Sequence, residues 1–181
     1  QITNPATGLR AISVAGSFGD TGSISVYIVD NDQVTVNATV AQALTFSLSS
    51  TTIGFGTLST TQVKFASNDN AGTTTPAAAH NLQVSTNSAG GYVVTVKGAT
   101  LTYGTSTIDA IGASNTAIAT GTEQFGVRFD ASGGSGTVTV PYAASGYAYG
   151  ADATTTSQVA SSAGASNSTT YNATYMANIA G

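Results

Sequence analysis

The chain has 181 residues, no cysteine and a formal net charge of -4 at pH 7, and only 7% of its residues are charged. Ordinary soluble domains carry about 25% charged residues, so this polar but nearly uncharged composition favours a secreted structural protein over a cytosolic enzyme. The four basic residues form no cluster that would neutralise phosphates, which argues against nucleic-acid binding, and the lack of cysteine excludes disulfides and thiolate metal sites.

The amino-terminal part of the chain contains a strand that lies ahead of the main body. Residues 23–28 alternate small polar and large apolar side chains, which is typical of a β-strand with one apolar face. Residues 9–14 are predicted to pair with this strand in a hairpin. An apolar strand outside the main domain needs an acceptor, so we expect it to be donated to another copy of the protein. The predicted donor residues are Ile24, Val26, Tyr27 and Ile28.

After a polar hinge at residues 30–33, short strands separated by turns are predicted throughout the chain. Residues 34–40 and 44–48 alternate apolar and polar side chains and are expected to be the first strands of the body. Residues 92–97 are the densest β-branched run and are predicted to form a central strand, and residues 133–136 a hairpin turn. The sequence therefore predicts an all-β fold. We expect an antiparallel β-sandwich of Ig-like or jelly-roll type at residues 34–181, preceded by an arm and hinge at residues 1–33.

The carboxyl-terminal region alternates again over residues 168–179, where aromatic and aliphatic side chains share one face. The chain stops shortly after this strand, so we expect an uncovered edge there that accepts the donated strand. Tyr171, Tyr175 and Ile179 are the predicted wall of this acceptor groove. At the other end, Gln1 is expected to be a mature terminus left after removal of a signal peptide, which places the protein outside the cell or on its surface.

Four stretches of the sequence, at residues 29–36, 44–48, 52–58 and 170–179, resemble secreted β-sandwich surface proteins of environmental bacteria. Members of that group continue past the Ala-Asn-Ile segment into one more strand, which this sequence lacks. In this respect the chain is similar to donor-strand-complemented extracellular filaments such as pilins. The resemblance implies a sandwich in which each subunit lacks a strand that its neighbour supplies.

The pattern as a whole predicts a structural subunit of an extracellular, pilus- or fimbria-like filament, a homopolymer without catalytic activity. The alternative is an adhesive or carbohydrate-binding module of a larger cell-surface protein, in which Tyr142, Tyr147 and Tyr149 would line a sugar-binding face. A surface-layer or viral coat protein is a third possibility. An enzyme is disfavoured because His80 is the single histidine, Glu123 the single glutamate, and no Gly-x-Ser-x-Gly motif occurs.

Two kinds of accessory site are also predicted from local patterns. The carboxylates of Asp20, Asp30 and Asp32, brought together across the hairpin, would supply oxygen ligands for calcium, although a plain turn explains them as well and no cofactor is required. Three Asn-x-Ser/Thr sequons mark candidate glycosylation sites. They are Asn37, Asn167 and Asn172.

Overall fold

A computed structural model describes residues 5–30, 34–143 and 145–181 of the chain. The described residues form 14 β-strands and no α-helix, which confirms the predicted all-β class. The chain divides into two compact units, Gln1–Val40 and Ala41–Gly181. The first unit therefore ends a few residues beyond the predicted division after residue 33.

The amino-terminal unit contains the predicted hairpin. Strands β1 (Gly8–Ala15) and β2 (Thr21–Ile28) pair antiparallel along their whole length. The turn between them is closed by the amide of Gly16, which donates to the carbonyl of Asp20 at 2.9 Å, and it uses a positive φ at Gly19. Residues 34–40, all of them described, form no strand, so the prediction that they open the sheet structure of the body is wrong.

The carboxyl-terminal unit contains the remaining strands. Those of its first half are β3 (Leu44–Leu48), β4 (Lys64–Phe65), β5 (His80–Thr86), β6 (Tyr92–Val96), β7 (Thr102–Tyr103) and β8 (Ser106–Thr107). Those of its second half are β9 (Gly112–Thr116), β10 (Gln124–Ser132), β11 (Thr137–Val138), β12 (Tyr147–Tyr149), β13 (Ser157–Ser162) and β14 (Ser166–Asn178).

Two larger antiparallel sheets are built from these strands. The first has the order β3-β5-β14-β10-β12-β9, with β4 also paired to β14, and the second has the order β11-β13-β6. A separate two-stranded sheet joins β7 and β8. Because neighbours in the first sheet are mostly distant in sequence, its pairing could not be inferred from adjacent hairpins.

Both larger sheets contribute side chains to one apolar core. Buried residues of β5, β10 and β14 pack with buried residues of β6 and β13 in a single cluster. The hydroxyls of Tyr92 on β6 and Tyr171 on β14 are 2.9 Å apart in the interior, so a hydrogen bond links the two sheets. The alternation of β10, which buries Phe125, Val127 and Phe129, follows directly from the two-residue period of an extended strand.

Two local predictions are corrected by the sheet order. The β-branched run at residues 92–97 does form a strand, but β6 lies at the end of its sheet instead of the centre, and Val93 is exposed. Residues 133–136 do not close a hairpin, because β10 and β11 belong to different sheets. The positive φ angles of Gly133 and Gly134 let the chain cross from one sheet to the other at this point.

Candidate assembly interface

The strand β3 carries an apolar face that other side chains leave uncovered. Leu48, Phe46 and Leu44 pair directly with Leu82, Val84 and Thr86 of β5. Direct partners in an antiparallel pair point to the same face of a sheet, so the apolar side chains of β3 lie on the core side. Nevertheless Leu44 is 63% exposed, Phe46 53% and Leu48 42%, whereas their three partners on β5 are buried.

The second sheet ends before it covers this face. On one side, the strand β11 leads into residues 139–142, and the amide of Phe129 on β10 donates to the carbonyl of Tyr142 at 3.0 Å. The β11 side of the sheet is therefore the side next to β10. On the opposite side, β6 pairs only with β13 among the described residues, and its Tyr92 reaches β14. The other edge of β6 is therefore unpaired among the described residues.

The amino-terminal hairpin also exposes apolar side chains. Ile12 and Ile24 face each other across β1 and β2, and both are exposed. Arg10 shares that face, because it pairs with Val26, and its guanidinium donates two hydrogen bonds to the carbonyl of Ala6. The apolar face of the hairpin is therefore interrupted by a charge.

The predicted donor residues lie on β2, and they divide between its two faces. Ile24, Val26 and Ile28 are on the face of Arg10, whereas Tyr27 pairs with Leu9 on the other face. One edge of β2 is already hydrogen-bonded to β1. β2 is therefore one strand of a hairpin. A groove that accepts a single strand would have to accept β1 as well or separate β2 from β1.

The predicted acceptor wall lies on β14, which has neighbours on both sides. Residues of β14 pair with β10 on one edge and with β5 and β4 on the other. Tyr171 is buried, and Ile179 lines a separate apolar hollow of about 360 Å³ with Leu58, Leu101 and Ile108. Between residue 170 and residue 177 β14 has neighbours on both edges, which corrects the expectation that Tyr171 and Tyr175 border an open groove.

Tyr175 contacts His80, the single histidine of the sequence. The Nε2 atom of His80 lies 3.0 Å from the Tyr175 hydroxyl, and the two rings stack with their centroids 5.6 Å apart. Burial lowers the pKa of His80 and raises the pKa of Tyr175 to about 12, so both groups are neutral at pH 7. The Nδ1 atom of His80 is buried without a hydrogen-bond partner among the described residues. These contacts describe a packed pair of rings.

The aspartates proposed as calcium ligands do not come together. Asp20 immediately precedes β2 and Asp30 follows it, so the two are separated by the length of an eight-residue strand, about 30 Å. The grouping expected across the hairpin is therefore wrong for this pair, and Asp32 lies outside the described residues. The described part of the chain contains no cluster of three or more His, Asp or Glu residues suited to a metal ion.

The three sequons differ in accessibility. Asn37 is exposed in the segment without secondary structure before β3, and Asn167 is exposed at the start of β14. Asn172 is only partly exposed, because it pairs with Asp130 and Asn81 in the middle of the first sheet. Of the three, Asn37 and Asn167 present their side chains most freely.

The tyrosines considered for sugar binding are buried. Tyr142, Tyr147 and Tyr149 are all less than a tenth exposed. The hydroxyl of Tyr142 donates to Ser157, and that of Tyr149 donates to the carbonyl of Gly98. Their ring faces pack in the interior, so they do not form the exposed platform that stacking on a sugar requires.

The strand of Leu44, Phe46 and Leu48 is predicted from the sequence, but the exposure of its apolar face is not. Its alternation of large apolar and small polar residues predicts a half-buried strand. The one available signal was size, because three large side chains at successive inward positions require a facing layer. Whether that layer exists depends on pairing between distant strands, which alternation does not report.

Comparisons of the chain with protein-family models, with curated proteins and with solved structures gave no match. The described part of the chain also contains no helix long and apolar enough to cross a membrane.

Proposed function

We propose that this protein is a structural subunit of an extracellular, pilus-like filament, in which each copy supplies a strand to the body of the next. In this proposal the carboxyl-terminal unit is a β-sandwich of Ig-like or jelly-roll type with one strand position left empty. The amino-terminal unit supplies the strand that fills the empty position in a neighbour.

One observation carries the proposal: the core-side face of β3 is apolar and uncovered. Leu44, Phe46 and Leu48 are in register with the buried face of β5, yet each is exposed by 42% or more. Isolated apolar side chains on a protein surface are common, but a contiguous apolar face beside an unpaired strand edge is typical of an interaction site. A strand added to the free edge of β6 would cover this face and hydrogen-bond at the same time.

The energetics are adequate for a stable junction. Fully burying one large apolar side chain contributes about 1.5–3 kcal/mol. Roughly half of that remains available for each of Leu44, Phe46 and Leu48, because about half of each side chain is still exposed. The inserted strand adds its own apolar side chains and a ladder of hydrogen bonds worth a net 0.5–1.5 kcal/mol each, as an order of magnitude. A head-to-tail contact of this kind joins two different surfaces, so it does not close on itself and extends into a fibre.

Secretion is part of the same proposal. The chain has few charged residues and is instead rich in threonine, serine, alanine, asparagine and glycine. This composition suits an extracellular structural protein. A fibre also requires identical partners at high local concentration, which a cell surface provides.

The test measures the mass of the full chain as a function of concentration, by light scattering after size exclusion and by electron microscopy. Two double variants are compared with it. Phe46→Lys with Leu48→Lys places charge on the uncovered face, and Thr45→Lys with Ser47→Lys places the same charge on the opposite face of β3. We expect the unaltered chain and the control to polymerise and the first variant to remain monomeric.

A full chain that stays monomeric at every concentration contradicts the filament. If that monomer also retains measurable affinity for a polysaccharide, the result instead supports an adhesive module of a larger surface protein. Polymers that form equally well with both double variants would show that β3 is not the assembly surface.

A further inference from the structure

We infer that the donated strand is residues 34–40, referred to here as the donor segment, and that it is received at the free edge of β6, over β3, of a second copy. This inference rests on the proposed function and names the two surfaces that meet. It replaces β2 as the donor and the β14 region as the acceptor.

The donor segment has the form that a single inserted strand requires. Its sequence places apolar side chains at alternate positions 34, 36, 38 and 40, with polar ones between them, and it carries no charge. Val34, Val36 and Val40 are all strongly exposed. None of its backbone groups takes part in a hydrogen bond with another described residue.

The hairpin is a poorer donor on each of these counts. Each of its two strands already has one edge hydrogen-bonded to the other strand. Arg10 also lies on its apolar face, beside Val26. Covering that face would take the guanidinium away from water, which is costly unless a partner is supplied. The donor segment brings no such charge and leaves both of its backbone edges available.

The acceptor position follows from which location would cover the β3 side chains. A strand added beside β3 in the first sheet would extend that sheet and leave Leu44, Phe46 and Leu48 in water. A strand added to β6 would lie in the second sheet, about 10 Å from the first across the core, and in the arrangement that we infer its side chains cover those of β3. The free edge of β6 therefore gives both a hydrogen-bonding partner and coverage of the apolar face.

Length and periodicity also agree. The seven residues of the donor segment span about 23 Å when extended, more than the five residues of β6 require. Its apolar positions repeat every second residue, as do Leu44, Phe46 and Leu48 of β3. Within a single chain the donor segment and the β3 face are each exposed, so we assign the occupant to a second copy.

The test uses engineered cysteines, because the natural chain has none. One chain carries Asn37→Cys on the outward face of the donor segment. Three further single variants sample the register on the exposed side of β6 and just beyond it, namely Val93→Cys, Thr95→Cys and Lys97→Cys. Controls are Ser25→Cys on the hairpin and Gln83→Cys on the first sheet. Pairs of variants are mixed under oxidising conditions and separated on a non-reducing gel.

We expect covalent dimers between Asn37→Cys and at least one β6 variant, and none when either partner is replaced by its control. We also expect Val36→Lys with Val40→Lys to abolish polymers, while Thr35→Lys with Thr39→Lys and Ile24→Lys alone leave them intact. The controls place the same charge on the other face of the donor segment and on the hairpin.

The inference fails, with the filament intact, if polymers form but Ile24→Lys abolishes them, or if Ser25→Cys captures the β6 variants. It also fails if a chain carrying both Asn37→Cys and Thr95→Cys closes a disulfide at monomer mass, because the donor segment would then occupy its own body. An unaltered chain that never polymerises overturns the proposed function itself and this inference with it.

Discussion

Phe46 and Val84 are direct partners in the antiparallel ladder between β3 and β5, yet the side chain of Val84 is buried and that of Phe46 is half exposed. They lie on hydrogen-bonded neighbouring strands, and their side chains point to the same face of one sheet. The difference therefore arises from the facing layer, which covers β5 and ends before β3. Val84 is therefore expected to stabilise the folded chain more than Phe46 does, and Phe46 belongs to the surface that we propose for assembly.

This relationship predicts unequal costs for two phenylalanines when the monomer is unfolded with urea. Phe129→Ala removes a buried ring and leaves a cavity, so we expect a loss of about 3–5 kcal/mol in the free energy of unfolding. Phe46→Ala removes a ring that is half in water, and we expect a loss of about 1 kcal/mol or less. Equal losses in isolated monomer would mean that Phe46 is covered in solution, which would contradict an uncovered β3 face.

A second prediction concerns the contact between the two larger sheets. A methyl group added at Gly136 would collide with the hydroxyls of both Tyr92 and Tyr171, which form the hydrogen bond across the core. We expect Gly136→Ala to lower the free energy of unfolding by about 1–3 kcal/mol, as overpacking does. Gly90→Ala is the control, because its methyl group would meet nothing closer than the Ser88 hydroxyl at 3.7 Å.

The double variant Gly136→Ala with Tyr92→Phe makes this test more specific. Removing the Tyr92 hydroxyl relieves one of the two collisions and leaves space into which the Tyr171 hydroxyl can shift, so the two effects should not add. Urea unfolding of the natural chain, the two single variants and the double variant gives the coupling energy between the two positions. If the two losses of unfolding free energy add strictly, the loss caused by Gly136→Ala does not arise from contact with the Tyr92 hydroxyl. That result would contradict the packing of Gly136 against Tyr92 and Tyr171.

The sequence was informative wherever a strand alternates apolar and polar side chains. Alternation located the hairpin strand β2, the strand β3 and the apolar face of β10, because an extended backbone turns successive side chains to opposite sides. It could not rank β6 within its sheet, since β-branched residues favour any pleated strand and not its centre in particular.

The surfaces that we propose for assembly were harder to predict for a physical reason. Residues 34–40 alternate as regularly as β3 does, yet they form no strand, because a strand exists only through its pairing with another. Tyr171 and Tyr175 were expected at an open edge, since alternation marks a buried face but does not show which edges are paired. Both failures concern contacts between residues far apart in the sequence, which local patterns do not encode.

A third prediction follows from the buried ring of His80. Burial lowers its pKa in the folded protein below the usual value of about 6.5, so the unfolded chain binds the proton more tightly. The contribution of neutral His80 to the free energy of unfolding is then fully present well above pH 6.5 and is lost as the pH falls below that value. The loss is at most about 1.4 kcal/mol per pH unit for one proton. Because His80 is half-buried, solvent screening makes the fall smaller than this limit.

The measurement compares urea midpoints at pH 7.5 and pH 5.5 for the natural chain and for His80→Gln. When His80 is protonated, both of its ring nitrogens carry a hydrogen, and the buried Nδ1 atom has no acceptor among the described residues. The natural chain should therefore lose stability at the lower pH. The variant keeps a group able to hydrogen-bond Tyr175 and has no imidazole, so its midpoint should change much less. A natural chain that becomes more stable at pH 5.5 would rule out a lowered pKa at this position.

A fourth prediction concerns the start of the body, where one side chain holds two backbone groups. The Nδ2 atom of Asn87 donates to the carbonyl of Ala41 at 2.9 Å, and its Oδ1 atom accepts from the amide of Ala43 at 2.7 Å. Asn87→Ala removes both bonds, whereas Asn87→Asp keeps an acceptor for Ala43 and loses the donor to Ala41. In a filament, tension on the donor segment would reach the body through these residues.

Hydrogen exchange of the Ala43 amide distinguishes these variants. One lost hydrogen bond costs a net 0.5–1.5 kcal/mol as an order of magnitude, so Asn87→Ala should speed exchange of this amide roughly 2- to 10-fold by local opening. Asn87→Asp should leave it close to the natural rate. Gln83→Ala, an exposed change on β5, the strand that ends just before Asn87, should have no effect. Since local opening precedes global unfolding, the urea midpoint should change less than the exchange rate does. Unaltered exchange in Asn87→Ala would show that the Asn87 side chain does not stabilise the start of β3. The position of β3 would then depend on its pairing with β5 alone.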